Sequence, residues 1–273
     1  MTHPDTCAKT YTKSDKYRVQ TFNDALESEN RIHSDDIAKR FGFEGALVGG
    51  VVVFGHMCYQ PVKLTGEEWL TDNTAEVKFL KPAYDAQYLN IACQKTNNGH
   101  NLECHNDDNA LLSTMTSIKG AITPDPRWKT APASTSIQRQ EIHWDALEID
   151  QAAPAHNWLP DYDTNLAYAE QICDDNPLYR QGSDSLVHPF WTSRECNAAF
   201  TRMFILRAWI HVGTRFVFHK PLRVGQQIEV RTIPIKKWER KGHEFATLYI
   251  SFLANGEPAV EAEHTAIFKV AGD

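Results

Sequence analysis

Two tandem α+β units, each a helix wrapped by an antiparallel sheet, are the fold class that this sequence of 273 residues predicts. Three observations predict it. An apolar segment over residues 50–59 opens on Gly49-Gly50 and meets Pro61, a length suited to a buried helix. Strand-like runs follow at 74–80, 88–92 and 111–118, with a turn signal at Asn97-Asn98-Gly99. The pattern then recurs. Phe79-Leu80-Lys81-Pro82 matches Phe218-His219-Lys220-Pro221 at an offset of 218 − 79 = 139, and Gln87, Leu89 and Ile91 match Gln226, Ile228 and Val230 at that offset. Gly99-His100 matches Gly242-His243, and Asn30 matches Asn176 at 176 − 30 = 146.

Taken in order, residues 1–16 are polar and read as a lead-in. From Val19, the apolar Phe22, Ala25 and Leu26 fall at helical spacing and predict a short helix. The Val51-Val52-Val53 run has strand propensity, but its glycine start and proline stop favour a buried helix. In the first strand Ala75, Val77 and Phe79 share one face. Pro124, Pro126 and Pro132 among Ala, Ser and Thr mark a linker. The expected organisation is thus a unit over 1–122, a linker over 123–160 that holds an isolated apolar patch at Trp144, Leu147 and Ile149, and a unit over 161–273 whose helix covers 190–200.

Composition bounds the function. Hydrophobic content of 42% supports a real core, and a net charge of −7 argues against nucleic-acid or anionic-membrane partners. No apolar run approaches a membrane span, and the N-terminus lacks a charged-then-apolar signal. The six cysteines form no C-x-x-C pair and read as free thiols of a reducing, cytoplasmic setting. His100, Cys104 and His105 lie close together, but a hairpin turn explains them better than a metal site.

Chemistry concentrates in Asn30-Arg31-Ile32-His33, which runs through Phe41-Gly42-Phe43 to Val48-Gly49-Gly50-Val51. A loop histidine would face the start of a buried helix, where free N–H groups and a partial positive charge can hold a developing oxyanion. On spacing alone, a turn histidine beside flexible glycines is the favoured reading. The run resembles the signature of MaoC-like dehydratases, the (R)-specific enoyl-CoA hydratases of the hotdog fold, whose pattern is D-x-N-P-x-H followed by a helix-opening glycine. That resemblance implies a double hotdog. It places Asn30 and His33 on the family's Asn and His, Ser28 on its catalytic Asp between Glu27 and Glu29, Arg31 on its Pro, and Gly49-Gly50 on its helix-opening His-Gly. The implied site is catalytic His33, Asn30 and Ser28, with Gly49 and Gly50 binding the thioester oxygen. No cofactor is implied beyond the coenzyme A or acyl carrier of the substrate, and the partners are an acyl thioester and a possible second double hotdog.

The second copy, Asp174-Asp175-Asn176-Pro177-Leu178-Tyr179, keeps the family's Asp and Asn but carries Tyr179 in place of the His. There Gly49 falls on His188 and Gly50 on Pro189, which has no N–H. From His33 to Gly49 is 16 positions against 9 from Tyr179 to His188. The first copy is therefore the expected thioester site. A His33–Glu195 pair across the copies is weighed against a solvated or core-capping Glu195. His188, His211 and His219 are read as structural. Lys236, Lys237, Arg240 and Lys241 are read as a solvated hairpin or a site for coenzyme A phosphates. The functional expectation is an enoyl-thioester hydratase or dehydratase; an acyl-thioester binding protein and a thioesterase are the alternatives.

Overall fold

The computed structural model describes residues 10–11, 17–25, 28–134 and 138–272. Most of the expected lead-in, together with Leu26 and Glu27, lies outside them. The first half contains β1 (Thr10–Tyr11), β2 (Tyr17–Gln20), α1 (Asp35–Arg40), α2 (Gly50–Thr65), β3 (Asn73–Phe79), β4 (Tyr88–Lys95), β5 (Gly99–His105) and β6 (Leu111–Lys119). Next come β7 (Gln140–Glu141), β8 (His156–Trp158), α3 (Tyr162–Gln171) and α4 (Pro189–Met203). The chain finishes with β9 (Phe204–Ile205), β10 (Ile210–Phe218), β11 (Ile228–Arg240), β12 (His243–Ala254) and β13 (Glu257–Lys269).

Eleven strands form one sheet in the order β1-β2-β4-β5-β6-β3-β10-β13-β12-β11-β8, all pairs antiparallel. The halves meet at β3 and β10, where Glu76 stands opposite Arg215. Those residues are themselves equivalent, since 215 − 76 = 139, so a pseudo-two-fold axis passes between them. Phe79 and Phe218 lie on equivalent strands, as the offset requires. It holds at the sheet ends too: Val19 pairs with Leu89 and Trp158 with Ile228, with 158 − 19 = 139 and 228 − 89 = 139. The fold is a double hotdog.

Three expectations change. Val19 belongs to a strand rather than a helix, because Tyr17 and Val19 are buried in the sheet while Phe22 and Ala25 lie in the turn beyond it. Helix α2 runs through Pro61 to Thr65. A proline inside a helix costs about 3 kcal/mol, whereas each large apolar side chain fully buried gains about 1.5–3 kcal/mol. Val51, Val52, Val53, Phe54, Met57 and Val62 are all buried, so packing wins and also overrides the β propensity of the valines. The stop is Gly66 at φ 65°, whose N–H returns to Val62 O. Lastly, β8 lies within 123–160, so the second copy's first strand precedes residue 161.

Other described residues of that segment are tied down as well. Glu261, 4% exposed, accepts from Asp125 N (3.0 Å) and from the Tyr249 hydroxyl, and lies 2.6 Å from His219 Nε2. Lys237 Nζ donates to Trp144 O (2.8 Å) and Leu147 O (3.0 Å), which takes it out of the solvated role expected for the basic hairpin. Leu147 is fully buried in the main core, so its patch is not isolated. Cys58, Cys93, Cys104 and Cys196 are free, but Cys173 is disulfide-bonded. The reading of six free thiols is thereby corrected, and with it the cysteine argument for a reducing compartment. Among the described residues no helix is long and apolar enough to cross a membrane.

Inside the sheet α2 crosses α4. A Cβ on Gly55 would lie 3.1 Å from Phe190 Cβ and from Ile172 Cδ1, so glycine is what lets the two helices approach.

Candidate active site

The two copies enter their helices by the same route. Val48 N donates to Ala83 O and Val187 N to Leu222 O, each at 2.8 Å. Asn30 caps the 3-10 turn Arg31–His33 through Ile32 N, as Asn176 caps Pro177–Tyr179 through Leu178 N. Ser28 Oγ accepts from Asn30 N at 3.0 Å, as Asp174 Oδ1 accepts from Asn176 N at 2.9 Å. The equivalence of Ser28 with Asp174 and of His33 with Tyr179 is therefore geometric as well as sequential.

What fills the two places differs. In the second copy Asp174 Oδ2 meets His188 Nε2 at 3.1 Å, both side chains buried, and the Tyr179 ring lies 4.3 Å from the His188 ring. Pro189 then opens α4. These groups plug the helix start. In the first copy the plug is gone: Ser28, Gly49 and Gly50 replace Asp174, His188 and Pro189. A cavity of about 220 Å³ opens there. His33, Asn30, Gly49 and Gly50 line it, with Phe43, Phe79 and Lys81 from the same copy and Asn197, Trp209 and His211 from the other. The seven extra positions between His33 and Gly49 (146 − 139 = 7) make room for the six-residue α1, and Phe43 just beyond α1 supplies part of the cavity wall.

His33 is held at both ring nitrogens. Nδ1 lies 2.6 Å from Leu47 O, which can only accept, so Nδ1 carries the proton. Nε2 is then the bare nitrogen and accepts from Asn30 Nδ2 at 3.2 Å. Asn30 is itself fixed across the copies: its Nδ2 donates to Trp209 O (2.9 Å) and its Oδ1 accepts from Trp209 N (3.1 Å). Burial lowers the His33 pKa below 6.5, opposed by the Leu47 bond and nearby Asp24. The ring is therefore neutral at pH 7 with its basic nitrogen available. Gly49 and Gly50 start α2, and among the described residues neither amide finds an acceptor.

The structure brings His33, Asn30, Gly49 and Gly50 together and leaves Ser28 out. Ser28 is exposed, absent from the cavity wall, and spends its hydroxyl on the turn. The carboxyl group beside the helix start is Asp24. Its Oδ1 and His33 Cε1 lie 3.7 and 4.0 Å from the point a Gly49 Cβ would occupy. Asp24 is ion-paired through Oδ2 with Arg194 of α4, while Oδ1 has no partner among the described residues. Asp24 stands nine positions before His33 (33 − 24 = 9), where no motif points to it. Glu195 pairs with Arg202 at 2.9 Å, so the His33–Glu195 pair weighed from the sequence is not formed, and the charged side chain reaching this helix start from the other copy is Arg194, bound to Asp24. His100 and Cys104 are buried, whereas His105 lies beside Glu103; among the described residues no group of three His, Cys, Asp or Glu could hold a metal.

His211, expected as structural, lines the cavity. Its Nε2 lies 2.7 Å from Thr214 Oγ1, which lies 2.8 Å from His264 Nδ1. Burial pushes His211 down to about 3, opposed by the Gly213 backbone, and drives His264 well below 6.5. Both pKa values are depressed on folding. Above pH 6.5 neither state binds the extra protons; below it the unfolded chain takes up two that the folded chain refuses. Stability then falls as the pH drops below 6.5, with a slope of up to about 3 kcal/mol per unit from this pair. His264→Gln is expected to flatten the dependence of unfolding free energy on pH between 6 and 4 by about half that amount. Urea titrations at each pH measure it; an unchanged slope would contradict the assignment.

No family model and no curated protein matches this sequence. Solved structures do match. A protein described as a MaoC domain dehydratase, from Chloroflexus aurantiacus J-10-fl, superposes with a TM-score of 0.62 at 10% identity, over 99% of this chain and 100% of its own. A conserved hypothetical protein of Mycobacterium tuberculosis with a double hotdog fold gives 0.63 at 12% identity, over 91% and 93%. A protein described as an oleoyl thioesterase, from Lactobacillus plantarum, gives 0.51 at 10% identity, over 94% and 96%. At these identities the likeness establishes the fold.

Proposed function

We propose that the protein is a hydratase/dehydratase of acyl thioesters, interconverting trans-2-enoyl and 3-hydroxyacyl thioesters of coenzyme A or a carrier protein in the first-copy cavity. One observation carries this reading: the helix start is open, with free Gly49 and Gly50 amides beside a neutral His33, at the place the second copy plugs. The thioester carbonyl oxygen would sit on those amides, where charge develops as the neighbouring carbons react. His33 Nε2 would take the proton of the water that attacks the β-carbon, displacing the long bond from Asn30, and return it to the α-carbon as the enolate collapses. Lys81, exposed at the rim, offers positive charge to the phosphates of the carrier group. A cavity of about 220 Å³ is smaller than the roughly 300–1,000 Å³ common for larger ligands, which favours a short acyl chain.

The test is a panel of trans-2-enoyl-CoA and 3-hydroxyacyl-CoA esters of increasing length. Loss or gain of the conjugated enoyl absorbance should be seen without release of free thiol; thiol release would support a thioesterase instead. The acidic limb of kcat/KM should fall below pH 6.5, because the lowered His33 pKa keeps the base unprotonated further into acid. A limb well above 6.5 would assign the base to another group.

A further inference from the structure

The first copy does not complete its own cavity. His211, from the second copy, is 7% exposed, and its Nδ1 has no hydrogen-bond partner among the described residues. That nitrogen lies 3.0 Å from where a Cβ on Gly50 would stand, and the ring is wedged edge-on against Phe79 at 4.8 Å. His211 is thus aimed at the helix start that the thioester reading uses.

The other end of the ring shows what Nδ1 can do. One Thr214 hydroxyl, 2% exposed, lies between His211 Nε2 and His264 Nδ1, and the two rings pack at 4.2 Å. Both rings are neutral, so each carries one proton. Thr214 has a single proton to give. If it donates to His264, then His211 is protonated at Nε2, and His264 must bury an N–H at Nε2, an atom with no partner among the described residues. If it donates to His211, then His264 donates back from Nδ1. The deep nitrogen is then a bare acceptor, and His211 carries its proton at Nδ1, facing the helix start. Only the second arrangement places the unmatched N–H where a ligand can meet it, and a buried donor without an acceptor is the costlier defect. The fold does not demand this chain. Thr214, which pairs with His264, is equivalent to Ala75, which pairs with Ser117 (214 − 75 = 139).

We propose that His211 donates a hydrogen bond from Nδ1 to the carbonyl oxygen of the bound acyl thioester, alongside the Gly50 amide, so that the oxyanion site takes one donor from each copy. Thr214 and His264 are positioning residues that hold His211 in the donating tautomer. This rests on the acyl-thioester reading above. It adds a donor from the second copy, and with it a requirement that the ligand present an oxygen acceptor at that point.

The probe is the ketone analogue of butyryl-CoA, with CH2 in place of the thioester sulfur and ¹³C at the carbonyl. Three measurements are made: affinity by calorimetry, the bound carbonyl stretch by difference infrared spectroscopy, and the His211 ring nitrogens by ¹⁵N NMR. In the wild type the stretch should move to lower frequency and the ring should report an Nδ1–H. His211→Leu should lose most of the shift and bind about 10- to 100-fold more weakly. His211→Asn, which keeps an N–H near the Nδ1 position, should retain part of both. A purely structural histidine predicts the reverse ranking, because leucine fills a buried site better than asparagine. Should His211→Leu fail to fold, the wild-type spectra and His211→Asn still decide. Binding with an unmoved carbonyl stretch, or equal shifts in wild type and His211→Leu, would overturn the His211 assignment and leave the acyl-thioester reading intact. Absence of any binding by the wild type would overturn that reading, and this assignment with it.

Discussion

His33→Ala is expected to lower kcat/KM for hydration of a short trans-2-enoyl-CoA by roughly 10²- to 10⁴-fold, the usual cost of losing a positioned proton-transfer group. The melting temperature should change little. The ring is half-buried, and its losses are the bonds to Leu47 O and Asn30, each worth about 1 kcal/mol net. Ser28→Ala should leave turnover nearly unchanged, since that hydroxyl serves the turn at Asn30. Unchanged turnover in a folded His33→Ala protein would remove His33 from the mechanism. A wild type without turnover that still binds acyl-CoA would show a binding protein instead.

The second large effect separates the two copies. Gly50→Pro should weaken acyl-CoA binding by roughly 10- to 100-fold, because it deletes an amide donor and forces side-chain atoms against Phe79 and His211. A Cβ there would lie 2.9 Å from Phe79 Cε2 and 3.0 Å from His211 Nδ1. The helix itself should survive, since proline is a normal first residue and Pro189 fills that role in α4. Tyr179→Phe should leave binding intact and be neutral or slightly stabilising, because the Tyr179 hydroxyl is buried without a partner among the described residues. Calorimetry on the two variants ranks them, and the opposite ranking would place the ligand in the second copy.

What the sequence displayed and what it hid follow from the range of the interactions involved. The repeat was legible because a strand's faces are written in alternating residues, and Leu89/Ile91 and Ile228/Val230 keep both phase and offset. The buried helix was legible from its bracket, but not its length: Pro61 stops a helix in isolation, and only tertiary burial carries α2 past it. Val19 shows the same limit, since four residues at helical spacing cannot reveal that a distant strand, β4, will claim the first of them. Asn30, His33, Gly49 and Gly50 were legible as neighbours because they lie close in sequence. Asp24 and His211 were not, because neither stands at a motif spacing from His33 and their relation to it exists only once the chain is folded. Ser28 was aligned with Asp174, and the structure shows it matching that residue's turn bond to Asn30 N while standing outside the cavity wall.

The axis between Glu76 and Arg215 has a consequence for inheritance. In a dimer of identical chains, every substitution that opens a cavity at one helix start opens it at the other, and the stability lost is doubled. Joining the copies in one polypeptide removes that coupling. One lobe carries Ser and glycines, a costly void and unsatisfied amides, while its twin carries Asp, His and Pro in that place, the filled version and the stability that goes with it. The second lobe then acts as ballast, holding the shared sheet steady while the first stays hollow.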